Sequence, residues 1–364
     1  MNGHLTDKHY LQLTLDYAKN RQGFCAPNPA VGALVVKNEE IISSGYHQGC
    51  GQAHAEVNAL VHFAEGELAD ATVYISLEPC CHQGRTPPCT DLLIRHRPKR
   101  IVFAYYDPNP EVAGKGQALL EAAGIRCEYL EIPAISLFYR AYAHWQRTQR
   151  PWVIVKLALS QDEKIAGEKG EPVALTQRSL QRFTHQQRQN ADALLTTART
   201  IQADDPHLNV RCSDNYAKPL YILDSYLNTP SSAKIFNTCS EVIIFHQANV
   251  EAERRASLIQ RGAQCRIIGH DTEGLNLKAV LASIGQDGRH QLWVEAGGRC
   301  AQALLMQQLV HTLYLYQSSK TLGENAVAAF HSGLNQALLM ERATCYQQHK
   351  IGDEIAYQLE FEVP

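Results

Sequence analysis

Three short segments constrain this chain more than anything else in it: His54-Ala55-Glu56, then Pro79-Cys80, then a second cysteine at Cys89. One imidazole and two thiolates suit a single Zn2+ per chain and leave a fourth position for water, an arrangement for catalysis rather than a closed structural site. Glu56, two residues from the histidine, sits where a carboxylate can move protons without being a ligand. The fold must therefore begin a helix near His54 and run a strand, Ala71 to Ile75, into Glu78-Pro79-Cys80. Taken singly, Cys80 and Cys89 read as buried thiols and His54 as a histidine at a helix start. The ordered set, with its spacing and strand-to-helix placement, reads as a metal centre. Cys81 is a rival ligand, but its side chain diverges from that of its neighbour Cys80, and it reads as structural.

A His-x-Glu followed by Pro-Cys and a second Cys is the pattern of zinc nucleobase deaminases. In that chemistry the metal lowers the pKa of water and hydroxide attacks an amidine-like ring carbon. The second cysteine here comes 89 − 80 = 9 positions after the first, so the loop beside the metal is enlarged. That loop carries His82 and Arg85, which suit a phosphate or a polar heterocycle. A small phosphorylated substrate is expected, not a polynucleotide.

The rest of the chain alternates helix-like and strand-like segments, which implies α/β architecture with mostly parallel sheets. Thr6 and Asp7 are candidate caps for a helix running to Arg21, and Val31 to Val36 followed by Ile41 reads as a hairpin. Helices are expected at His54 to Phe63, from Thr90 and at Gln117 to Ala123, with strands at Ile101 to Tyr105 and Cys127 to Leu130. At 364 residues two domains are expected. The aromatic and basic stretch from Pro133 to Arg150 reads as a connecting helix, giving domains over 1–148 and 149–364. Beyond it, strands are expected at Val153 to Ala158, Ala193 to Thr196, Leu220 to Asp224, Val242 to Phe245, Cys265 to Ile268 and Leu292 to Glu295. A less regular tail ends in a strand at Ile355 to Phe361.

Charge narrows the partners. With 34 Lys+Arg against 37 Asp+Glu, the net charge is −3 and no polyanion-binding field is expected. A nucleic-acid editing deaminase shares the His-x-Glu signature but fits neither this charge nor the enlarged loop. No apolar run reaches the roughly 18 residues that span a bilayer, and Met1 to Lys8 lacks a signal-peptide stretch, so neither a membrane nor export is expected and the reading is cytoplasmic. Eleven cysteines, an odd number, argue for thiols and metal rather than a disulfide framework.

Cys-His-Gln-Gly-Arg-Thr-Pro-Pro-Cys at 81 to 89, Pro27-Asn28-Pro29-Ala30-Val31-Gly32, His54-Ala55-Glu56 and Asp107-Pro108-Asn109-Pro110 resemble the RibD family of bifunctional riboflavin-biosynthesis enzymes. The extended Pro-Pro-Cys loop separates that family from deaminases with a shorter Cys-x-x-Cys. The resemblance continues through Lys156-Leu157-Ala158-Leu159-Ser160, Ala203-Asp204-Asp205-Pro206, Leu208-Asn209-Val210-Arg211, Leu223-Asp224-Ser225 and Val294-Glu295-Ala296-Gly297-Gly298, covering nearly the whole chain.

The resemblance implies a cytidine-deaminase-like three-layer domain followed by a dihydrofolate-reductase-like α/β domain. The first would hydrolytically deaminate 2,5-diamino-6-(5-phosphoribosylamino)pyrimidin-4-one, and the second would use NADPH to reduce the ribosyl chain to a ribityl chain. His54, Cys80 and Cys89 would hold zinc and Glu56 would shuttle protons, with Asn28, His82 and Arg85 near the pyrimidine or phosphate. NADPH contacts would fall to Ala158, Thr200, Asp204, Ser225, Gly297, Gly298 and Arg299, and substrate contacts to Arg188, Leu208, Arg211 and Glu295. A homo-oligomer, dimer or tetramer, is implied as well.

The second half carries weaker signals of its own. Gly297-Gly298 between a strand and a helix lets backbone amides approach a pyrophosphate, and it equally suits an ordinary turn. Asp204-Asp205 before Pro206 reads as a helix cap or turn. Arg188 and Arg211 are chemically sensible phosphate clamps, with surface solvation the plainer use for Arg188. Several positions depart from the family pattern: Glu163 stands where a glycine is usual, Pro172 and Ala174 where a Ser and a Trp are frequent, and Gly298-Arg299-Cys300 where Pro-Thr-Leu is commoner. These departures motivate a second expectation, an active deaminase whose reductase-like domain is a scaffold for oligomerisation.

Overall fold

Asn38 and Glu39 adopt φ of 51° and 66°, the left-handed pair that a tight two-residue hairpin turn needs, and fold Gly32–Lys37 (β1) back on Glu40–Tyr46 (β2). This hairpin opens the first of two compact units, Met1–Gln149 and Arg150–Pro364, in a computed structural model that describes residues 3–84, 86–211, 215–271, 274–331 and 333–364.

The first unit runs through α1 (Gly3–Lys19), the hairpin, α2 (Ala55–Leu60), β3 (Thr72–Ile75), α3 (Cys89–His96), β4 (Arg100–Phe103), α4 (Lys115–Ala122), β5 (Arg126–Tyr129) and α5 (Pro133–Thr148). Its sheet has the order β2-β1-β3-β4-β5, with β1 antiparallel to both neighbours and only β3, β4 and β5 mutually parallel. The expected mostly parallel sheet is thus a mixed one, because a two-residue turn can only return a strand antiparallel.

Alternation sends Ala33, Val35, Val73, Ile75, Ile101 and Phe103 to one face, where Ala55 and Ala59 of α2, Leu93 of α3 and Leu120 of α4 cover them. Leu34, Val36, Tyr74 and Val102 go to the other, under Leu11 and Leu15 of α1 and Ile135 and Tyr139 of α5. Three layers result. Gly45 brings α2 down onto β2, since a Cβ there would lie 2.3 Å from the Ala55 carbonyl oxygen.

Asp7 does not cap α1. The helix already runs from Gly3, and the buried Asp7 carboxylate accepts bonds from Tyr74 Oη at 2.5 Å and Arg100 Nη2 at 2.7 Å. A buried acid with two strand partners needs no capping role.

The second unit contains β6 (Trp152–Leu159), β7 (Lys164–Glu168), α6 (Arg178–Asn190), β8 (Ala193–Thr197), α7 (Ala198–Asp204), β9 (Val210–Arg211), β10 (Asn215–Tyr216) and β11 (Pro219–Leu223). It continues with α8 (Ile235–Thr238), β12 (Glu241–His246), α9 (Ala252–Gln260), β13 (Ala263–Ile267), β14 (His270–Asp271), β15 (Gly274–Leu275), α10 (Leu277–Gln286) and β16 (Gln291–Val294). It closes with α11 (Gly298–Met306), β17 (Thr312–Gln317), β18 (Ala326–Ala328), α12 (Gln336–Arg342), β19 (Cys345–Ile351) and β20 (Glu354–Glu360).

Its main sheet has the order β13-β12-β11-β8-β16-β6-β17-β20-β19, parallel as far as β17 and antiparallel through β20 and β19. β17 pairs with β6 inside the sheet, in a region where the sequence pattern predicts a less regular tail. One face packs Val153, Val155 and Leu157 against Val280 and Ile284 of α10 and Leu304 of α11. The other packs Ile154, Leu194 and Trp293 against Leu180 of α6 and Ile201 of α7. Among the described residues no helix is long and apolar enough to cross a membrane.

Candidate active sites

β3 leads into Glu78-Pro79-Cys80, α2 begins immediately after His54, and α3 begins at Cys89 after Pro88. Three chain segments therefore deliver their side chains to one point. His54 Nδ1, Cys80 Sγ and Cys89 Sγ all lie within 4.8 Å of one another. The imidazole nitrogen is 3.5 Å from Cys80 Sγ and 3.3 Å from Cys89 Sγ, and the Cys89 amide donates to Cys80 Sγ at 3.4 Å. Hydrogen bonding from the Cys89 thiol, together with His54, favours the Cys80 thiolate. One borderline nitrogen and two sulfurs at this spacing fit Zn2+ with a position left open. Cys81 is directed elsewhere, its Sγ 3.6 Å from the Glu111 carbonyl oxygen.

Glu56 occupies the first turn of α2, 4% exposed, and burial pushes its carboxyl up to about 7, with the Cys80 charge adding to the effect. It borders a cavity of about 330 Å³ together with His54 and Cys80. Asn28 and His82 line the same cavity, and Asn28 Nδ2 lies 3.3 Å from Nε2 of His47, a buried histidine. Arg85 lies outside the described residues.

The wall also contains residues that sequence reasoning missed. Asp107 and Tyr142 both line it. Glu78 accepts from Gly114 N at 2.9 Å, Gln117 N at 3.2 Å and Asp107 N at 3.4 Å, so it ties the 107–117 segment to the metal-ligand turn. Only the Asp-Pro-Asn-Pro motif hinted at this segment.

In the second unit a cavity of about 970 Å³ opens beside the carboxyl ends of parallel strands, where open α/β sheets bind ligands. Ala158, Thr200, Asp204, Ser225, Gly297, Gly298 and Arg299 all border it, as do Arg188, Leu208 and Glu295. Arg211 does not. It is exposed on a two-residue strand, with Nη1 donating to Asn209 Oδ1 at 2.8 Å. A Cβ on Gly298 would lie 1.9 Å from the Ala329 carbonyl oxygen, so only glycine lets α11 start here. In that first turn Cys300 N already donates to the Gly297 carbonyl oxygen at 3.1 Å, whereas the Gly298 and Arg299 amides precede any helix carbonyl and suit an anion.

Arg188 is not a free clamp. Its Nε and Nη2 donate to Glu295 at 2.5 and 2.9 Å, and Nη1 donates to the Asn209 carbonyl oxygen at 2.9 Å. Trp293 Nε1 donates to Glu295 Oε1 at 2.8 Å. Burial alone would raise the Glu295 carboxyl, but Arg188, Lys156 and Trp293 outweigh it and hold the group at about 2.

Lys156 belongs to the same wall, though no residue spacing in the sequence marks it as functional. It lies in the cavity wall with Nζ 5.2 Å from the Tyr316 ring centroid, and burial lowers its pKa against the pull of Glu295. The available signal was a lysine inside an otherwise apolar strand.

Residues 5–105 match the cytidine and deoxycytidylate deaminase zinc-binding region, and residues 151–356 match the RibD C-terminal domain. The riboflavin biosynthesis protein RibD of Aquifex aeolicus is 38% identical over 87% of this chain and 88% of its own length. The chain belongs to the RibD family. It is a bifunctional enzyme of riboflavin biosynthesis, a hydrolase and an oxidoreductase, with a zinc-binding cytidine-deaminase-like domain and a RibD C-terminal domain. The RibD of Escherichia coli K12 is 33% identical over 88% of this chain and 90% of its own length. The RibD structure from Acinetobacter baumannii superposes with a TM-score of 0.85 at 30% identity, covering 98% of each chain. A Thermotoga maritima structure, described as a diaminohydroxyphosphoribosylaminopyrimidine deaminase and 5-amino-6-(5-phosphoribosylamino)uracil reductase, gives 0.84 at 25% identity over 99% of each.

Glu163 takes the left-handed φ of 56° that favours glycine, and its side chain accepts from Gln336 N at 3.2 Å while its carbonyl accepts from Ala329 N at 3.0 Å. Pro172 and Ala174 border the cavity, and Arg299 stands exposed at its rim in the first turn of α11.

Proposed function

We propose that residues 1–148 hydrolytically deaminate 2,5-diamino-6-(5-phosphoribosylamino)pyrimidin-4-one and that residues 149–364 reduce the ribosyl chain of the product to ribityl with NADPH. The observation that carries this reading is the convergence of His54 Nδ1, Cys80 Sγ and Cys89 Sγ beside the buried Glu56. These three residues are the zinc ligands in this reading. Bound there, Zn2+ supplies a Lewis acid that makes water a nucleophile at neutral pH. Glu56 takes the proton of the attacking water and hands it to the ring nitrogen and then to the departing amine. Asn28 and His82 border the pyrimidine, and Arg85 is assigned to the phosphate by family resemblance.

For the second step, NADPH supplies the hydride. Thr200, Asp204, Ser225 and the Gly297-Gly298 turn border its site, and Arg299 is a partner for its 2′-phosphate. Lys156 would give the proton: as reduction at the sugar C1 makes a C–H bond and breaks the C1–O bond, the released oxygen would take a proton from Nζ. Arg188 holds Glu295 in place beside Lys156, and Leu208 contributes apolar wall. We assign a cytoplasmic homo-oligomer, dimer or tetramer, acting on a small molecule and not on nucleic acid or membrane.

A two-stage mass measurement on the diaminopyrimidine phosphate tests both halves. Without nicotinamide the product gains about one mass unit as amine gives way to oxygen, and NADPH then adds about two. No first shift removes the deaminase assignment. No NADPH oxidation on the deaminated intermediate leaves the second domain as a scaffold.

A further inference from the structure

Glu295 directly follows β16, and strand alternation puts it on the same face as Trp293, two residues earlier. Trp293 is 0% exposed, in the core layer that holds Ile154 and Leu194, and its ring centroid is 5.6 Å from that of Tyr314. Its indole N–H therefore points in one fixed direction. It donates to Glu295 Oε1 at 2.8 Å, the same oxygen that Arg188 Nε meets, while Arg188 Nη2 meets Oε2 at 2.9 Å. Arg188 reaches in on a long side chain from α6 and also holds the Asn209 carbonyl oxygen. The indole is the donor that comes from the carboxylate's own strand. An indole N–H donates and never accepts, so Oε1, with two donors on it, cannot also carry a proton. Three N–H donors on one carboxylate favour its charged form.

We propose that Trp293 is a positioning residue of the reductase, whose indole N–H fixes the Glu295 carboxylate so that its charge stays beside Lys156 and keeps that lysine able to give a proton. The proposal rests on the reductase reading above and deepens it. Glu295 and Lys156 border one cavity, whereas Trp293 is not part of its wall and acts only through Glu295. Burial lowers the Lys156 pKa, and Glu295 is the strongest group opposing it, ahead of Asp204 of α7, while Arg188 adds to the lowering. The uncharged Tyr316 ring of β17 faces the same ammonium, its centroid 5.2 Å from Nζ. Loss of the indole donor frees the carboxylate to turn and weakens the preference for its charge. Lys156 then loses its main support and its pKa falls further. A proton donor works only below its own pKa, so the alkaline limb of reductase kcat moves to lower pH.

Two replacements of Trp293 separate the N–H from the ring. Trp293→Phe removes the N–H and part of the ring, whereas benzothienylalanine placed at this position alone puts sulfur where the N–H was and keeps the ring size. The full-length enzyme is assayed with NADPH and the deaminated intermediate across pH, and deamination is followed on the same preparation. Both replacements are expected to lower reductase kcat roughly ten- to hundredfold, with KM for NADPH changed by less than about twofold. Both also move the alkaline limb of kcat down by about half a pH unit or more. Deamination stays at its wild-type rate. Wild-type kcat and an unmoved limb with benzothienylalanine overturn the proposal whatever Trp293→Phe does, because the ring then suffices. A fall in kcat with the limb unmoved, or a rise in KM with kcat intact, shows a packing role and overturns it as well. If Trp293→Phe fails to fold, the benzothienylalanine protein decides alone. Wild-type enzyme that does not oxidise NADPH on the deaminated intermediate removes the reductase reading instead.

Discussion

Thr86 Oγ1 lies 3.1 Å from Nε2 of His54, the ring nitrogen that does not face the two cysteine sulfurs. The enlarged loop between the cysteines thus reaches back to orient the metal-facing imidazole. A proton on Nε2 shared with Thr86 leaves the Nδ1 lone pair free for a metal. Thr86→Val removes the acceptor with little change in volume and is expected to weaken zinc binding about 10- to 100-fold. Thr86→Ser retains the hydroxyl and stays near wild type. Competition against a chromophoric chelator measures both.

Glu56 contributes no atom to the donor set and borders the cavity from the first turn of α2. Glu56→Gln is therefore expected to keep zinc at wild-type stoichiometry while deamination falls roughly 10²- to 10⁴-fold. Reduction of the deaminated intermediate remains at its wild-type rate. Metal analysis and the two half-reactions, run on one preparation, check this, and near-normal deamination refutes the proton-shuttle role.

Lys156 stands between Glu295 and Arg188 electrostatically, with its ammonium over the Tyr316 ring. Lys156→Met keeps length and apolar stem but cannot give a proton. The expected outcome is a fall in reductase kcat of about 10²- to 10⁴-fold with KM for NADPH little changed. Deamination is unaffected. A selective rise in KM with kcat intact shows instead that the lysine only binds.

The zinc triad was readable because each member belongs to a short local motif at a strand end or helix start. Asp107, Tyr142 and Lys156 were not, for different reasons. Asp107 and Tyr142 meet across 142 − 107 = 35 positions, in a segment and a helix that only tertiary packing brings together. Lys156 sits on β6, whose apolar neighbours dominate any periodicity reading. Arg188 lines the cavity as its chemistry suggested, and the sequence did not show that a carboxylate 295 − 188 = 107 positions away pairs with its fork. Strand β17 escaped notice for a related reason, since its Tyr and Leu alternation is complete only when both sheet faces are buried by helices from elsewhere.

His185 gives a pH dependence of stability with a definite sign. Its Nδ1 accepts the Arg211 amide at 3.1 Å, which requires that nitrogen to be unprotonated. Burial first, and then the charges of Arg188 and Arg211, push the imidazole down to about 4, with Glu295 opposing them. The unfolded chain binds this proton near the ordinary histidine value of about 6.5. Between those two values the unfolded state holds more protons than the folded one, so stability rises with pH. The contribution is complete above about 6.5 and is lost as pH falls through the folded value of about 4. His185→Gln offers an oxygen acceptor to the Arg211 amide and does not titrate. Urea unfolding of the second unit's transition in the full chain, followed between those limits, should show a shallower slope against pH in the variant than in wild type. Parallel slopes would show that His185 takes up its proton as readily in the folded protein as in the unfolded chain, so that the bond to the Arg211 amide does not hold the imidazole neutral.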